Sequence, residues 1–134
     1  MVTATDLSKD ALQVAKRNVE RYQLQDRVEL CHGDLFSAVS GTYDLILCNP
    51  PYVSGARMNT LPDEFTQEPE LAFRGGEDGL DVVRILLSQA ADYLATDGAM
   101  IVESGSASPD LESEYLSVPF SWLSTEYDLS LIHI

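Results

Sequence analysis

The strongest chemical signal in the sequence is the tetrapeptide Asn49-Pro50-Pro51-Tyr52, which directly follows an apolar run. Two consecutive prolines fix the backbone and remove two N–H donors. The Asn49 side-chain oxygen and the Pro50 carbonyl therefore remain as hydrogen-bond acceptors. Tyr52 adds a flat ring that can stack on a planar group. These residue types suit the binding of an amino or amide nitrogen, whose two N–H bonds the two acceptors would hold.

Such a nitrogen is a poor nucleophile because its lone pair is delocalised. Two fixed acceptors stabilise the positive charge that develops on the nitrogen as it attacks, and a stacked ring aligns it with an electrophile. No strong base is needed first, because the proton can leave afterwards. We therefore predict that Asn49, Pro50 and Tyr52 are catalytic and that residues 49–52 bind the substrate. The alternative is an ordinary proline-rich turn.

Two acidic residues follow other strand-like segments of the chain. Asp6 ends residues 2–6, and Asp34 comes shortly after residues 28–32. Ligands of open α/β sheets bind beyond the carboxyl ends of the strands, where an acid can hold both hydroxyls of a ribose. A neighbouring acid can accept from an adenine amino group. Either residue alone could be a turn or cap residue, but together they predict a nucleoside-binding edge.

Helical segments separate these strands. Ser8 suits a helix N-cap, and the residues after it have an apolar repeat of three or four positions, typical of an amphipathic helix. The apolar face of this helix comprises Leu12, Ala15, Val19 and Tyr22. We interpret Asp78 as the N-cap of a second helix. The apolar face of that helix comprises Leu80, Val83, Leu87 and Ala91.

The other segments complete an α/β pattern. Residues 44–49 are apolar throughout their interior, as in a strand buried on both faces of a parallel sheet. Residues 99–103 form another strand after an Asp97-Gly98 turn, and residues 118–123 form a last one. Alternating strands and helices predict an α/β domain with a mainly parallel sheet.

Two further segments lie between these elements. Pro109 opens a short helix that ends at about Tyr115. Residues 50–78 are a loop with four prolines. A loop of this length in a compact domain is usually functional.

The charge of the chain is uneven. The formal net charge is −14, and residues 1–60 hold 7 acidic and 6 basic side chains. Residues 61–134 hold 15 acidic and 2 basic side chains. Because an acidic surface repels phosphate backbones and attracts basic partners, we expect a basic protein partner and no direct contact with nucleic acid. A solvated acidic face that only maintains solubility is the alternative.

The cysteines and hydropathy bear on the compartment. Cys31 and Cys48 both lie in apolar runs, which is typical of core thiols in a reducing cytoplasm. His32 and His133 do not form a metal-binding constellation with them, so no metal is expected. The sequence has no apolar run of the length that spans a membrane, and we expect no membrane association.

Residues 49–52, together with Asp6 and Asp34, resemble the class I S-adenosylmethionine-dependent methyltransferases. More narrowly, they resemble the N(5)-glutamine methyltransferases that act on peptide release factors and on a large-subunit ribosomal protein. The segments that extend this resemblance are residues 61–65, 68–72, 75–80 and 118–123. The first and last of these favour the branch that modifies the ribosomal protein. The resemblance extends over about residues 2–126.

This resemblance implies a Rossmann-like sheet with S-adenosylmethionine as cofactor. The methyl acceptor would be the side-chain amide of a glutamine in a ribosomal protein or release factor. Asp6 would bind the cofactor ribose and Asp34 would lie near the adenine. Asn49 would contact both the target glutamine and the methyl donor.

The chain also departs from the family pattern. It begins at about the family's second strand, so the first strand and the Gly-rich cofactor loop have no counterpart. Residues 1–128 would then be a partial catalytic domain, and residues 129–134 a non-native or truncated tail. We therefore expect this chain to be inactive on its own.

Two other functions remain open. A nucleic-acid methyltransferase acting on adenine or cytosine amino groups shares the tetrapeptide chemistry, but it requires a basic groove. The clustered basic residues of this chain are confined to Lys9, Lys16, Arg17, Arg21 and Arg27. The second possibility is a non-catalytic fragment that binds a basic protein.

Overall fold

The computed structural model describes residues 1–105, 108–124 and 130–133. The chain divides into two compact units, Met1–Gly41 and Thr42–Ile134. The predicted α/β class is confirmed, because strands and helices alternate along most of the chain. None of the described helices is both long and apolar enough to cross a membrane.

The unit Met1–Gly41 contains strand β1 (Val2–Asp6), helix α1 (Lys9–Arg21) and strand β2 (Val28–His32). The strands are parallel, with Val2 opposite Val28 and Asp6 opposite His32. As predicted, the Ser8 side chain caps α1, since its Oγ accepts from the Ala11 N–H at 3.2 Å. The core is thin, because α1 has no fully buried residue. Tyr22, expected on the apolar face, is 65% exposed.

The unit Thr42–Ile134 contains the remaining strands and helices. Its strands are β3 (Tyr43–Cys48), β4 (Leu94–Glu103), β5 (Ser121–Ser124) and β6 (Ser130–His133). They form one sheet in the order β3-β4-β6-β5. The β3–β4 pair is parallel, and β6 is antiparallel to both β4 and β5. The helices are α2 (Gly55–Met58), α3 (Asp81–Tyr93) and α4 (Ser108–Glu114), with 3₁₀ turns at Asp63–Gln67 and Glu70–Ala72.

The core of this second unit centres on Leu80, Val83 and Leu111, whose side chains are almost completely buried. Around them pack four partly buried side chains: Leu87, Tyr115, Phe120 and Trp122. Helix α3 buries Val83, Leu86 and Ala90, whereas Ala91, which we expected on this face, is exposed. Burying a side chain the size of Leu stabilises a fold by about 1.5–3 kcal/mol. The second unit therefore has a substantially stronger apolar core than the first.

Three sequence expectations for the strands are wrong in detail. Strand β3 is not buried on both faces, because Leu45 and Leu47 are 52% and 68% exposed. Strand β4 starts at Leu94 and runs through the expected turn. Asp97 has a φ of 65° there, and the β3–β4 register shifts between Tyr43 and Leu45. The expected turn is therefore an irregularity within a longer strand.

The ends of the last segments also differ from expectation. The final predicted strand begins at Ser121 rather than at residue 118. Helix α4 begins at Ser108, one residue before Pro109. Within the tail assigned to residues 129–134, Ser130–His133 form β6, while residues 129 and 134 lie outside the described residues.

Candidate active site

The tetrapeptide lies at the carboxyl end of β3, where ligands of such sheets bind. The Asn49 side chain is exposed, Pro50 is buried, and Pro51 and Tyr52 are half-buried. Cys48 precedes the tetrapeptide, and its burial raises the pKa of its thiol to about 11. It therefore stays protonated at neutral pH and is unsuited to act as a nucleophile.

Two backbone segments pack directly against the tetrapeptide. A Cβ atom placed on Gly75 would lie 2.6 Å from the Pro51 carbonyl oxygen. A Cβ on Gly79 would collide with the Tyr52 carbonyl oxygen, and Gly79 also has a φ of 91°. Residues with a side chain tolerate neither condition well. The two glycines thus allow backbone to pack on backbone behind the proposed substrate-binding residues.

Hydrogen bonds join the segment after the tetrapeptide to residues 73–77. The Val53 N–H donates to the Phe73 carbonyl at 2.8 Å, and the Gly75 N–H donates to the Val53 carbonyl at 2.9 Å. The Gly55 N–H donates to the carbonyl of Gly76 at 2.9 Å. We call this pairing of residues 53–55 with 73–77 the loop ladder. Backbone hydrogen bonds around one isolated parallel bridge therefore join the two ends of the segment that was expected to be a long loop.

The Tyr52 hydroxyl has a specific partner at the end of β4. It donates to the Glu103 Oε1 atom at 2.7 Å in a partly buried position. Burial, followed by the hydrogen bond to Glu103 and the charge of that carboxylate, raises the pKa of Tyr52 to about 12, while the charge of Arg57 partly opposes this. The phenol therefore stays protonated at neutral pH and acts as a donor to Glu103.

Gly105 lies against the Tyr52 ring. A Cβ atom on Gly105 would be 2.5 Å from Cε2 and 2.7 Å from Cδ2 of Tyr52, and the φ of Gly105 is 51°. Between Glu103 and Gly105, Ser104 is completely buried. The carboxyl end of β4 therefore limits the position of the tyrosine ring at its hydroxyl and at its edge.

An arginine links the elements behind this loop. Arg84 on α3 makes ion pairs with Asp78 at 2.6 Å, with Glu114 of α4 at 2.7 Å and with Asp81 at 3.5 Å. Its hydrogen bonds lower the pKa of Asp78 to about 2 and lower the pKa of Glu114. The sequence predicts Asp78 as the N-cap of α3, and this prediction is wrong. Leu80 occupies that position, and Asp78 Oδ1 accepts from the Leu80 N–H at 3.0 Å.

The two predicted acids lie at the carboxyl edge of the β1–β2 pair. The Asp6 Oδ1 atom accepts from the Ser8 N–H at 2.7 Å, and the Asp6 carbonyl accepts from the Gly33 N–H at 3.2 Å. The Asp34 N–H donates to the Ser37 Oγ at 2.8 Å. Both carboxylates are exposed. Local turns thus bring the two acids to one edge, with their side chains accessible to a ligand.

The sequence reasoning overlooked Glu103 and Gly105. Glu103 is the last residue of an apolar strand, which is the feature that identified Asn49 and Asp6 as candidates. Applying that criterion to every strand would have included it. Gly105 carries no comparable signal, because only its contact with Tyr52 distinguishes it from any glycine in a turn.

Solved structures similar to this chain are methyltransferases with a Rossmann-like sheet. A methyltransferase from Pyrococcus furiosus is matched with a TM-score of 0.70 at 23% identity, covering 98% of this chain and 61% of that one. A ribosomal protein L11 methylase from Lactobacillus delbrueckii subsp. bulgaricus is matched with a TM-score of 0.65 at 18% identity, covering 98% and 55%. The fold is therefore that of the class I methyltransferases.

At the level of sequence, residues 1–77 match the Methyltransferase small domain family, and the chain belongs to that family. The Neisseria gonorrhoeae ribosomal protein uL3 glutamine methyltransferase is 48% identical over 124 residues, which cover 92% of this chain and 42% of the relative. The Bordetella pertussis protein of the same name is 47% identical over 125 residues, with the same coverage. The chain thus spans about two fifths of these relatives, and the expected family resemblance is confirmed.

Proposed function

We propose that this chain is the substrate-binding and nucleoside-binding part of an S-adenosylmethionine-dependent methyltransferase that modifies a glutamine side-chain amide in a large-subunit ribosomal protein. The observation that carries the proposal is the Asn49-Pro50-Pro51-Tyr52 tetrapeptide at the carboxyl end of β3. The relatives named for this activity share nearly half of their matched residues with the chain.

The residues of Met1–Gly41 fit the nucleoside part of the cofactor. Asp6 has one oxygen fixed by the Ser8 N–H, which orients the carboxylate so that its other oxygen can accept from a ribose hydroxyl. Asp34 is exposed two residues beyond β2, at the same edge. We assign Asp6 to the ribose and Asp34 to the adenine amino group. When bound, S-adenosylmethionine supplies an electrophilic methyl group.

The tetrapeptide prepares the acceptor nitrogen. The Asn49 side-chain oxygen and the Pro50 carbonyl accept its two N–H bonds and stabilise positive charge on the nitrogen as it attacks. The Tyr52 ring packs against the plane of the amide and restricts its orientation. The Tyr52 hydroxyl is not a base in this scheme, since it stays protonated and donates to Glu103. The proton leaves the nitrogen after transfer.

The charge of Thr42–Ile134 favours a basic protein as substrate. Both basic residues after residue 60 are engaged with carboxylates: Arg74 pairs with Glu70 at 2.7 Å, and Arg84 pairs with three acids. The other exposed acids of this part include Glu68, Glu77, Asp92, Asp97 and Asp110. This surface attracts a basic protein and repels a phosphate backbone. The two free cysteines agree with a reaction in the cytoplasm.

Methyl transfer is best tested in a hybrid enzyme, in which this chain replaces the matching segment of the Neisseria gonorrhoeae relative. We expect the hybrid to transfer a labelled methyl group from S-adenosylmethionine to one glutamine of ribosomal protein uL3, located by tandem mass spectrometry. RNA and DNA oligonucleotides serve as competing acceptors. A folded hybrid that binds cofactor but methylates only nucleic acid, or nothing at all, would contradict the proposal.

The acidic surface has its own test. We expect the association rate of the hybrid with uL3, measured by stopped-flow fluorescence, to fall as salt rises, because exposed charges are screened beyond about 8 Å at physiological ionic strength. A rate that does not change between low and high salt would mean that the acidic surface serves solubility alone.

A further inference from the structure

We propose that Glu103 and Gly105 are positioning residues that hold the Tyr52 ring in one place, so that Tyr52 acts on the substrate through the face of its ring and not through its hydroxyl. This inference rests on the proposed function, because it assigns the means by which the tetrapeptide orients a planar amide. Neither residue belongs to the tetrapeptide. Both lie at the carboxyl end of β4, beside the end of β3.

The first support is the hydrogen bond at the tip of the ring. Tyr52 Oη and Glu103 Oε1 are 2.7 Å apart, a short distance typical of a hydroxyl that donates to a charged acceptor. The carboxylate accepts the one proton that the hydroxyl can donate. The hydroxyl is then not free to donate to a substrate carbonyl. What Tyr52 offers to a ligand is its apolar ring.

The second support is the space beside the ring. A side chain at position 105 would collide with the Tyr52 ring, because its Cβ atom would lie 2.5 Å from the ring. The ring therefore occupies a volume that any residue other than glycine would need. Because Gly105 also has a positive φ, of 51°, two independent features favour glycine at this position. The ring is thus bounded at its hydroxyl by Glu103 and at its edge by Gly105.

The raised pKa of Tyr52, to about 12, agrees with this role. A tyrosine that remains protonated up to strongly alkaline pH does not remove a proton from the substrate near neutral pH. Burial is the first cause of the raised value, and the hydrogen bond and charge of Glu103 follow. Replacing the carboxylate with an amide removes the charge and leaves an oxygen that can still accept.

The test compares three variants of the hybrid enzyme with the unmutated hybrid. The variants are Glu103→Ala, Glu103→Gln and Tyr52→Phe. We expect Glu103→Ala to lower kcat/KM by about 10- to 100-fold, because small misplacements of an orienting group reduce rates by that order. Glu103→Gln should recover most of the loss, since its oxygen can still accept the hydrogen bond. Glu20→Ala, on α1, is the matched control for removing one negative charge, and it should leave kcat/KM within about twofold.

A double-mutant comparison separates positioning from general support of the fold. If Glu103 acts through the Tyr52 hydroxyl, Glu103→Ala should have little further effect in a Tyr52→Phe background. Equal losses in both backgrounds would overturn the inference. So would a Glu103→Ala enzyme within twofold of the unmutated hybrid while Asn49→Ala loses about 100-fold in kcat, a result that leaves the proposed function intact. Loss of the proposed function itself would appear as a wild-type hybrid without methyl transfer.

A spectroscopic measurement covers the case in which Glu103→Ala does not fold. Tyrosine labelled with ¹³C at Cζ, with Tyr52→Phe for assignment, gives the ionisation of Tyr52 directly in the 134-residue chain. We expect its signal to remain that of a phenol at pH 10.5 in wild type and to begin ionising at lower pH in Glu103→Gln. Identical titrations in the two proteins would show that the hydroxyl does not sense Glu103, which overturns the inference.

Discussion

Met1–Gly41 and Thr42–Ile134 hold their candidate residues in different ways. In the first unit, Asp6 and Asp34 sit in exposed turns, beside a helix without a fully buried residue. In the second, the tetrapeptide packs against glycine backbone and is bound at its tyrosine by a side chain of β4. The loop ladder holds the residues that follow it. Local turn hydrogen bonds therefore position the two acids, whereas contacts with residues distant in sequence position the tetrapeptide.

The largest expected effect contrasts Asn49→Ala with Asp6→Ala in the hybrid enzyme. Removing one preorganised acceptor should raise the barrier by about 3 kcal/mol, a loss of about 100-fold in kcat. Asp6→Ala should instead weaken the binding of S-adenosylmethionine, because it removes a charged hydrogen-bond partner. We expect the dissociation constant to rise by about 10-fold or more. Single-turnover kinetics and calorimetry measure the two quantities. If Asn49→Ala mainly weakened cofactor binding, the division of roles between the units would be wrong.

A second prediction contrasts Gly79→Ala with Gly41→Ala. Both glycines have a positive φ, but a Cβ on Gly79 would collide with the Tyr52 carbonyl, whereas a Cβ on Gly41 would meet nothing within 4 Å. Gly41→Ala should destabilise the chain by about 1 kcal/mol through backbone strain alone. Gly79→Ala adds overpacking of about 1–3 kcal/mol. Urea unfolding of the chain, followed through Trp122 fluorescence and circular dichroism, tests this. Equal losses would show that the loop can move away from the tetrapeptide.

The smallest effect is expected for the ion pairs of Arg84. Because the folded pKa of Asp78 is depressed from 3.8 to about 2, its pairing stabilises the fold above about pH 4, and this stabilisation is lost as pH falls through 2. Arg84→Met should therefore melt a few degrees lower at neutral pH and lose less stability on acidification than wild type.

The control for Arg84→Met is Arg74→Met, which breaks a more exposed pair with Glu70 and should change the melting temperature less. Hydrogen exchange should increase in α3 and α4 of Arg84→Met and stay unchanged in α1. An increase of the same size in α1 would contradict the assignment of these ion pairs to the second unit alone.

The elements that local patterns determine could be predicted from the sequence. Strands β1 and β2 have the predicted bounds, and α1 starts directly after its predicted cap, Ser8. Asp78 was misassigned because its bond to the Leu80 N–H has the same donor and acceptor types as a helix cap. Local sequence does not distinguish the two arrangements, since the difference depends on where the helical hydrogen bonds begin.

The features that the sequence did not predict depend on contacts between residues that are distant along the chain. The exposure of Leu47 depends on what covers β3, and hydrophobic pattern does not encode that. The pairing of Tyr52 with Glu103 joins residues 51 positions apart. The roles of Gly75 and Gly79 as packing surfaces behind the tetrapeptide depend on the same long-range closure. Positions of candidate residues at strand ends were accessible from sequence, and the contacts that hold them were not.

The loop ladder has a consequence for affinity. A flexible segment that becomes ordered when a ligand binds loses conformational entropy, which costs roughly 1–2 kcal/mol for each residue whose backbone is fixed. Val53 and Gly55 are tied to Phe73 and Gly76 by backbone hydrogen bonds within the fold itself. The free energy of ordering this segment is thus spent during folding. If Tyr52 binds the substrate as proposed, the substrate keeps more of its contact energy as binding energy than it would on an unstructured loop.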